Sequence, residues 1–244
     1  MKRLEKKHPL AIRWFHWINF PVLFVMIWSG ILIYWANDVY RVGVGSWTLF
    51  KFFPSAFYER FSIDHRLGEG MAWHFVFGWI FGLNGLLYVL YLAFSGEWRY
   101  LLPRRETLRE AVHVVLHDLR IRREALPRAK FNGAQRIAYS GVILMGLGSL
   151  LTGLAIYKPV QTAGILPWLS LSVAGATGYE ISRWLHFWLT IGFCGFFLVH
   201  VLQVVRAGWN NFRAMVTGYE VVPAELAADL PTVETVESVA PHAA

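Results

Sequence analysis

The stretch that decides the fold is residues 184–206, WLHFWLTIGFCGFFLVHVLQVVR. It is apolar almost throughout and carries two histidines, His186 and His200, fourteen residues apart. In an α-helix fourteen residues turn through about 1,400° and rise about 21 Å, so both imidazoles lie on one face at two depths. A run of this length also suffices to cross the roughly 30 Å hydrocarbon layer of a bilayer. The stretch therefore predicts a membrane-spanning helix that presents two imidazoles, one above the other.

The composition extends this prediction to the whole chain. Of its 244 residues, 56% are hydrophobic and 16% are charged, and the mean hydropathy is +0.41. A soluble domain of this size has too little interior for so much apolar surface. Four runs are long enough to span a bilayer, at about 14–36, 71–94, 137–157 and 184–206. We therefore expect an all-α integral membrane protein built as a four-helix transmembrane bundle.

A fifth, weaker apolar run lies at residues 160–178 and contains Pro167 and several small residues. We expect an extra helical segment here, in the outer loop, that lies on the membrane surface or re-enters it without crossing. A fifth span would place Arg206 and Arg213 on the side opposite to most other basic residues, which the charge pattern disfavours.

The basic residues predict the orientation of the chain. Seventeen of the 23 lysines and arginines lie before the first span, between the second and third, or after the fourth. By the positive-inside rule, both termini and the middle loop are expected to be cytoplasmic. This asymmetry explains the net charge of +7 without any need for a nucleic-acid partner.

The segments outside the spans differ in character. Residues 1–218 are expected to form the membrane domain, whereas residues 219–244 hold acids, prolines and alanines but no lysine or arginine. That composition predicts a disordered cytoplasmic tail. The outer loop at 37–69 is rich in aromatic residues, which fits either the membrane interface or the surface of a partner protein.

Four of the nine histidines fall within the spans or at their edges and form two pairs by depth. His74 and His186 lie near the outer side, and His16 and His200 lie near the cytoplasmic side. Ionisable groups at membrane depth are rare and usually functional. Two such pairs are typical of two b-type haems stacked across a bilayer, with each iron bound by two histidines. A proton path or another metal site is the alternative.

Glycines share helix faces with these histidines. Gly30 lies fourteen residues after His16, at the depth of the outer pair, and three more follow His74 on one face: Gly78, Gly82 and Gly85. A glycine lets a porphyrin approach the helix backbone closely. Ordinary packing of small residues between helices is the other explanation.

The remaining residues with metal-binding chemistry are weaker candidates. A single cysteine, Cys194, excludes an internal disulfide and a c-type haem attachment site, so metal binding must depend on histidine. His65, in the outer loop, is the one substitute for His74. His113 and His117 stand four residues apart, but their arginine-rich surroundings favour a solvated helix face over a metal site.

Short motifs at three places resemble a known family. His8-Pro9, Arg13 and His16-Trp17, followed by Ser29-Gly30, resemble the opening of the bacterial dihaem cytochrome b family. This family includes the cytochrome b subunits of nickel–iron hydrogenases, formate dehydrogenase gamma subunits and the subunits of thiosulfate-type reductases. Lys130-Phe131-Asn132 with Gln135-Arg136 resembles the family's entry to the third span, and Tyr157-Lys158-Pro159 resembles the exit. The likeness covers about residues 8–218.

The resemblance implies four transmembrane helices in the bacterial inner membrane, two b haems, and a site for menaquinone or ubiquinone beside the cytoplasmic haem. By the same resemblance, His16 and His200 bind the inner haem iron, and His74 and His186 bind the outer one. Asn132 and Gln135 match the motif that lies near the quinone, although capping of the third helix is an equally plain role for them. Phe131 stands where the family usually has tyrosine.

These features together predict an electron-transport subunit of a respiratory complex. Electrons would pass through two haems between the membrane quinone pool and a periplasmic oxidoreductase, which holds the main catalytic centre. That partner is expected to be a hydrogenase, a formate dehydrogenase or a molybdenum enzyme, reached directly or through an iron–sulfur subunit. The direction of flow stays open. The alternatives are a self-contained membrane haem oxidase or reductase that uses a small diffusible donor or acceptor, and a haem-free transporter.

Overall fold

A computed structural model describes residues 2–37, 39–44, 46–122, 131–173 and 175–223. Most of them are helical, and the helices are Leu10–Tyr34 (α1), Ser55–Phe61 (α2), Leu67–Ser95 (α3), Trp98–Leu101 (α4), Thr107–Asp118 (α5), Gly133–Tyr157 (α6), Pro159–Thr162 (α7) and Gly178–Thr217 (α8). Six short strands form three antiparallel pairs: Lys2–Lys6 (β1) with Tyr219–Pro223 (β6), Arg41–Val44 (β2) with Trp47–Lys51 (β3), and Ser172–Val173 (β4) with Ala176–Thr177 (β5).

The four predicted spans are confirmed as the four helices α1, α3, α6 and α8, each long and apolar enough to cross a membrane. The chain is thus a multi-pass membrane protein. Each helix begins four to six residues before the apolar run that predicts it. The reason is that helical hydrogen bonds continue into the polar residues at a span's end, where the hydropathy has already fallen.

Helix α8 is interrupted at Gly208, whose backbone has φ 81° and ψ 177°. Glycine adopts a positive φ without the steric cost that a Cβ would add. The long apolar part therefore ends here, and a short second segment continues to Thr217.

The weak apolar run at 160–178 forms no spanning helix among its described residues. It contains the end of α7, a 3₁₀ turn at Pro167–Ser170 and the short β4–β5 hairpin. Both helical pieces begin at a proline. Proline has no backbone N–H to donate, so it can start a helix but cannot continue one from the residues before it. The chain thus turns repeatedly in this region.

The described residues divide into two compact units, one within Met1–Trp14 and Val199–Ala244 and the other at Phe15–Leu198. In the larger unit α1 and α3 approach each other closely at Gly70. A Cβ on Gly70 would lie 2.7 Å from Cβ of Leu32 and 3.0 Å from the carbonyl oxygen of Ser29. Only glycine permits this backbone separation, and Gly70 lies one helical turn before His74, the residue that Ser29 contacts.

Helices α6 and α8 pack through glycines in the same way. A Cβ on Gly148 would lie 3.1 Å from Leu189, and one on Gly192 would lie 2.9 Å from the sulfur of Met145. Small residues at such contacts let helices associate closely where the hydrophobic effect between them is weak.

The outer loop is anchored to α1 through Tyr58 of α2. Its side chain is only 2% exposed, and its hydroxyl donates to the carbonyl of Ile31 at 2.9 Å. The β2–β3 hairpin leaves large apolar side chains exposed, among them Trp47, Leu49 and Phe50. One part of this aromatic loop therefore packs against the bundle while another part stays open.

The smaller unit is held by a ribbon of β1 and β6, in which Lys2 pairs with Pro223 and Lys6 with Tyr219. The Asn210 side chain donates to the carbonyl of Val221 and accepts from its N–H, both at 3.0 Å. Residues 219–223, which the composition predicts to be disordered, thus form a strand because β1 supplies their backbone partners. Residues 224–244, the rest of the predicted tail, lie outside the described residues.

Candidate functional site

His74 of α3 and His186 of α8 lie opposite each other. Their ring centroids are 6.1 Å apart and their planes are inclined by 65°. Two imidazoles on opposite sides of one metal ion have centroids about 6 Å apart, since each metal–nitrogen bond is about 2 Å and the nitrogen lies about 1.1 Å from its ring centre. The separation therefore equals that of two ligands with an ion between them.

The hydroxyl of Ser29 determines which nitrogen of His74 carries the proton. Ser29 Oγ lies 2.7 Å from the carbonyl of Val25, four residues earlier, and donates its proton there. Its oxygen is 3.0 Å from Nδ1 of His74 and is left to accept a hydrogen bond. Nδ1 therefore carries the N–H, and Nε2 presents a lone pair.

Thr152 of α6 makes the same arrangement for His186. Its Oγ1 donates to the carbonyl of Gly148 at 2.7 Å and lies 2.9 Å from Nδ1 of His186. In its neutral form each histidine therefore carries its proton on Nδ1 and leaves Nε2 unprotonated, which is the form in which histidine binds a metal.

A glycine follows each hydroxyl residue and makes room for the ring. A Cβ on Gly30 would lie 3.6 Å from Cε1 of His74, and one on Gly153 would lie 3.3 Å from Cε1 of His186. A side chain larger than a methyl group at either position would collide with the imidazole. Ser29-Gly30 and Thr152-Gly153 therefore form the same local arrangement. In each, the hydroxyl orients the imidazole ring and the glycine leaves space for it.

These features suit two histidines that would hold a haem iron. Haem proteins use histidine nitrogen as an iron ligand. The hydrogen bond from the other ring nitrogen to a fixed acceptor sets the tautomer and the ring orientation. Both requirements are met by His74 and His186, which are the residues that could bind one haem.

His16 lies on α1 and His200 on α8. The ring of His16 lies 5.0 Å from that of Trp17, at an interplanar angle of 85°. The two histidines belong to separate compact units, His16 to the larger and His200 to the smaller. Their pairing around a second haem stays a prediction.

Asn132 and Gln135 form a capping box at the start of α6. The Asn132 side chain accepts the backbone N–H of Gln135 at 2.9 Å, and the Gln135 side chain accepts that of Asn132 at 3.0 Å. Each side-chain carbonyl oxygen thus accepts a backbone N–H that has no hydrogen-bond partner within the first turn of the helix. The capping role of this motif is observed, and its role toward a quinone stays a prediction. Lys130 of the same motif lies outside the described residues.

The weaker histidine candidates lie elsewhere. His65 contacts Trp35, with ring centroids 4.5 Å apart and planes inclined by 58°. The histidine that lies opposite His186 is therefore His74. His113 and His117 lie on α5. In the part of the chain that the structure describes, no group of three or more His, Cys, Asp or Glu side chains is arranged to bind a metal.

Aromatic side chains surround the residue next to His186. The ring of Phe187 stacks on Tyr34 at 5.4 Å and contacts Tyr40 at 4.9 Å and Phe52 at 5.2 Å. The outer loop thus packs over the beginning of α8, where His186 lies. Such a cover lowers the access of water to this part of the site.

Thr152 is the residue of this site that the sequence alone did not single out. A signal for it is present, because Thr152-Gly153 repeats the hydroxyl–glycine pair of Ser29-Gly30 on another span. The pair becomes informative only when the partner histidine of each copy is known.

Comparison with known proteins identifies the family of this chain. The sequence profile described as prokaryotic cytochrome b561 matches residues 7–218. A protein of Azospira oryzae named putative protein-methionine-sulfoxide reductase subunit YedZ1 is 28% identical over 219 residues, which are 89% of this chain and 99% of that protein. No solved structure matches the chain significantly. The profile match over most of the chain favours a haem protein over a haem-free transporter. The chain belongs to the prokaryotic cytochrome b561 family and is a haem b-binding membrane protein of electron transfer.

Proposed function

We propose that this chain is the membrane subunit of a respiratory oxidoreductase complex and carries electrons between the quinone pool and a periplasmic partner enzyme. The observation that carries the proposal is the opposed pair of imidazoles, His74 and His186, each with Nδ1 within 3.0 Å of a hydroxyl oxygen. A bound b haem supplies a one-electron iron centre. Two histidine ligands leave no open iron position, so the chain conducts electrons, and substrate chemistry belongs to the partner.

Two haems are proposed, the outer one bound by His74 and His186 and the inner one by His16 and His200. Support for the inner pair comes from the sequence, because His16 lies near the start of the first span and His200 lies fourteen residues beyond His186 on the same helix. The inner haem would lie on the side of the basic loops, which the positive-inside rule makes cytoplasmic. Both termini are then cytoplasmic, and the protein lies in the bacterial inner membrane.

A quinone is proposed to bind near the start of α6. The capping box uses the carbonyl oxygens of Asn132 and Gln135 and the backbone N–H groups of both residues. Their side-chain NH₂ groups are donors that the cap does not use, and such donors suit a quinone carbonyl. Phe131 directly precedes Asn132, and its ring lies 5.2 Å from that of Tyr139.

The partner is proposed to be a periplasmic reductase. The Azospira relative is named as a subunit of a protein-methionine-sulfoxide reductase. Reduction of a sulfoxide to a thioether consumes two electrons and two protons and releases water, so a reductase of this kind must be supplied with electrons. For this chain the proposed flow is therefore outward, from quinol on the cytoplasmic side to the partner. The exposed side chains Trp47, Leu49 and Phe50 of the β2–β3 hairpin give that partner an apolar surface.

The experiment that tests this proposal counts haems in the purified chain by a pyridine haemochrome assay with a reduced-minus-oxidised spectrum. The expected result is two b haems in the wild type and one each in His74→Ala and His16→Ala. The matched control is His65→Ala, which removes an exposed loop histidine and should leave both haems. A haem count unchanged by His74→Ala would contradict the assignment of the outer site.

A second candidate function is a self-contained membrane haem oxidase or reductase that uses a small diffusible donor or acceptor. Purification from the native membrane in mild detergent separates the two functions. A stable oxidoreductase subunit that co-purifies, and that is reduced by a quinol only when this chain is present, supports the complex. Turnover of a small donor by the isolated chain favours the self-contained enzyme.

A further inference from the structure

Helix α5 has two apolar faces, only one of which packs against the rest of the chain. Thr107, Ala111 and Val114 are buried, and they lie where α5 contacts the start of α6. The contact is close, since a Cβ on Gly133 would lie 2.6 Å from the carbonyl oxygen of Thr107. Helix α5 is thereby fixed beside the end of a membrane span.

The second apolar face of α5 is exposed. Leu108, Val112, Val115 and Leu119 are 70%, 52%, 51% and 62% exposed, respectively. At 100° per residue these four side chains lie within about 60° of one another, as one stripe along the helix. His113 and His117 lie on the opposite, polar face. A helix with this pattern at the level of a span's end is typical of one that lies in the membrane interface.

A basic cavity of about 390 Å³ adjoins the first turn of α5. Three arginines line it, Arg104, Arg105 and Arg136, together with Glu106 and Glu110. Phe131 and Asn132, which belong to the proposed quinone site, also line this cavity. Among the residues that the structure describes, none of the three arginines forms an ion pair with a carboxylate. The lining thus has one positive charge in excess, and its guanidinium groups have no acidic partner among the described residues.

Arg136 is the fixed part of this cavity. It is only 6% exposed, and its guanidinium donates to the carbonyls of Leu102 and Phe131 at 3.2 and 3.3 Å. Burial of a guanidinium without a counter-charge is costly, and an anion in the cavity would lower that cost. Arginine is also the side chain that binds phosphate oxygens in a bidentate manner.

We propose that α5 and this cavity form a binding site for an anionic phospholipid. The phosphate group occupies the arginine cavity, and the acyl chains cover the stripe of Leu108, Val112, Val115 and Leu119. Charge complementarity selects a negative headgroup, and the exposed stripe selects a ligand that is apolar beyond its phosphate. Free phosphate satisfies only the first of these two features.

The proposal is tested on the full chain in mild detergent, with phosphatidylglycerol, phosphatidylcholine and inorganic phosphate as probes. Native mass spectrometry measures bound lipid, and the shift in thermal unfolding gives the affinity. The test variant is Arg104→Gln/Arg105→Gln. The matched control is Arg120→Gln/Arg122→Gln, which removes the same charge from the same basic segment outside the cavity.

We expect the wild type and the control to bind phosphatidylglycerol at least tenfold more tightly than phosphatidylcholine. The test variant should lose this preference, while its haem spectrum stays that of the wild type. Equal lipid preference in the test and control variants overturns the site. If inorganic phosphate stabilises the protein as much as phosphatidylglycerol does, the ligand is free phosphate and the assignment to a lipid is wrong.

A second pair of substitutions tests the acyl-chain half separately. Leu108→Gln/Val112→Thr changes the exposed stripe and leaves the arginines in place. Weaker binding of phosphatidylglycerol by this variant is expected. Unchanged lipid affinity would contradict the assignment of the stripe to acyl chains, whatever the arginine variants show.

Discussion

Thr152 Oγ1 lies 2.9 Å from Nδ1 of His186 while its own proton is donated to the carbonyl of Gly148. Ser29 stands in the same relation to His74, with Val25 as the acceptor of its proton. A hydroxyl that is bound in this way has no proton to offer the ring and serves only as an acceptor. Two different spans thus each supply a hydroxyl that accepts a hydrogen bond from one of the two opposed histidines.

Thr152→Val removes this acceptor and keeps the shape of the side chain. The Nδ1–H then loses its partner and the imidazole becomes a weaker base, so we expect haem affinity to fall about 10- to 100-fold. The reduction potential of the outer haem should rise, because a less basic ligand stabilises ferric iron less. Redox titration followed at the haem absorption band measures the shift.

Two variants make this prediction specific. Thr152→Ser keeps the hydroxyl and should restore the wild-type potential. Thr190→Val is the matched control, because Thr190 donates to the backbone carbonyl of His186 at 3.0 Å but does not contact its ring. An equal shift in Thr190→Val would mean that packing of α8, and not the Nδ1 hydrogen bond, sets the potential.

Gly70→Ala is expected to separate α1 from α3 next to the candidate site. The new Cβ would lie 2.7 Å from Cβ of Leu32 and 3.0 Å from the carbonyl oxygen of Ser29, and neither atom is the end of a flexible side chain. Overpacking of this kind costs about 1–3 kcal/mol, and here it also moves Ser29 away from His74.

Thermal unfolding in detergent and the haem content measure this effect together. Gly68→Ala is the control, because a Cβ at Gly68 meets no atom within 4 Å. If both alanine variants melt at the same temperature and bind the same amount of haem, the close contact of α1 and α3 at Gly70 is not what positions Ser29.

Tyr58→Phe removes the hydroxyl that ties the outer loop to α1. The Ile31 carbonyl loses its donor, and the expected loss of stability is about 1–1.5 kcal/mol. Burial raises the pKa of Tyr58 above the ordinary tyrosine value. The unfolded chain therefore loses this proton first as the pH rises, and the stability that Tyr58 contributes declines above about pH 10.

Melting temperatures between pH 8 and pH 11 measure this dependence. The wild type should lose more stability over the alkaline part of this range than Tyr58→Phe does. Parallel curves for the two proteins would show that Tyr58 ionises equally readily in the folded and unfolded chain.

Asn210→Ala is expected to loosen the β1–β6 ribbon. The side chain makes two hydrogen bonds to the backbone of Val221, and their loss should cost about 1–2 kcal/mol locally. Hydrogen exchange of peptides from residues 2–7 and 219–223 should become faster, while peptides from α3 and α6 stay unchanged. Unaltered exchange in the ribbon would assign its stability to strand pairing and the Lys7–Glu220 ion pair alone.

The parts of the fold that could be predicted from the sequence are those governed by a local pattern. Four apolar runs predict four spans, because a helix satisfies its backbone hydrogen bonds within the membrane without help from other segments. Depth along these spans places His74 and His186 together, and the structure brings their rings within 6.1 Å. Hydropathy and helical rise suffice for both results.

The rest depends on contacts between distant segments. The role of the Thr152 hydroxyl depends on its contact with His186 on another helix. No pattern within α6 distinguishes Thr152 from a threonine that only packs between helices. Residues 219–223 read as part of a disordered tail, since their strand exists only where β1 supplies the partner. Asn132 and Gln135 could be recognised as a motif, whereas their mutual cap depends on the turn that the backbone makes at Gly133.

The pairing of β1 with β6 has a consequence for biosynthesis. Lys2–Lys6 leaves the ribosome before the four spans, and its partner Tyr219–Pro223 emerges only after all four have been made. The first strand therefore stays unpaired until all four spans have been inserted, since long-range pairings form late. Closure of this ribbon marks the completion of assembly, and a ribosome that stalls before residue 219 leaves a chain whose first strand stays open to cellular quality control.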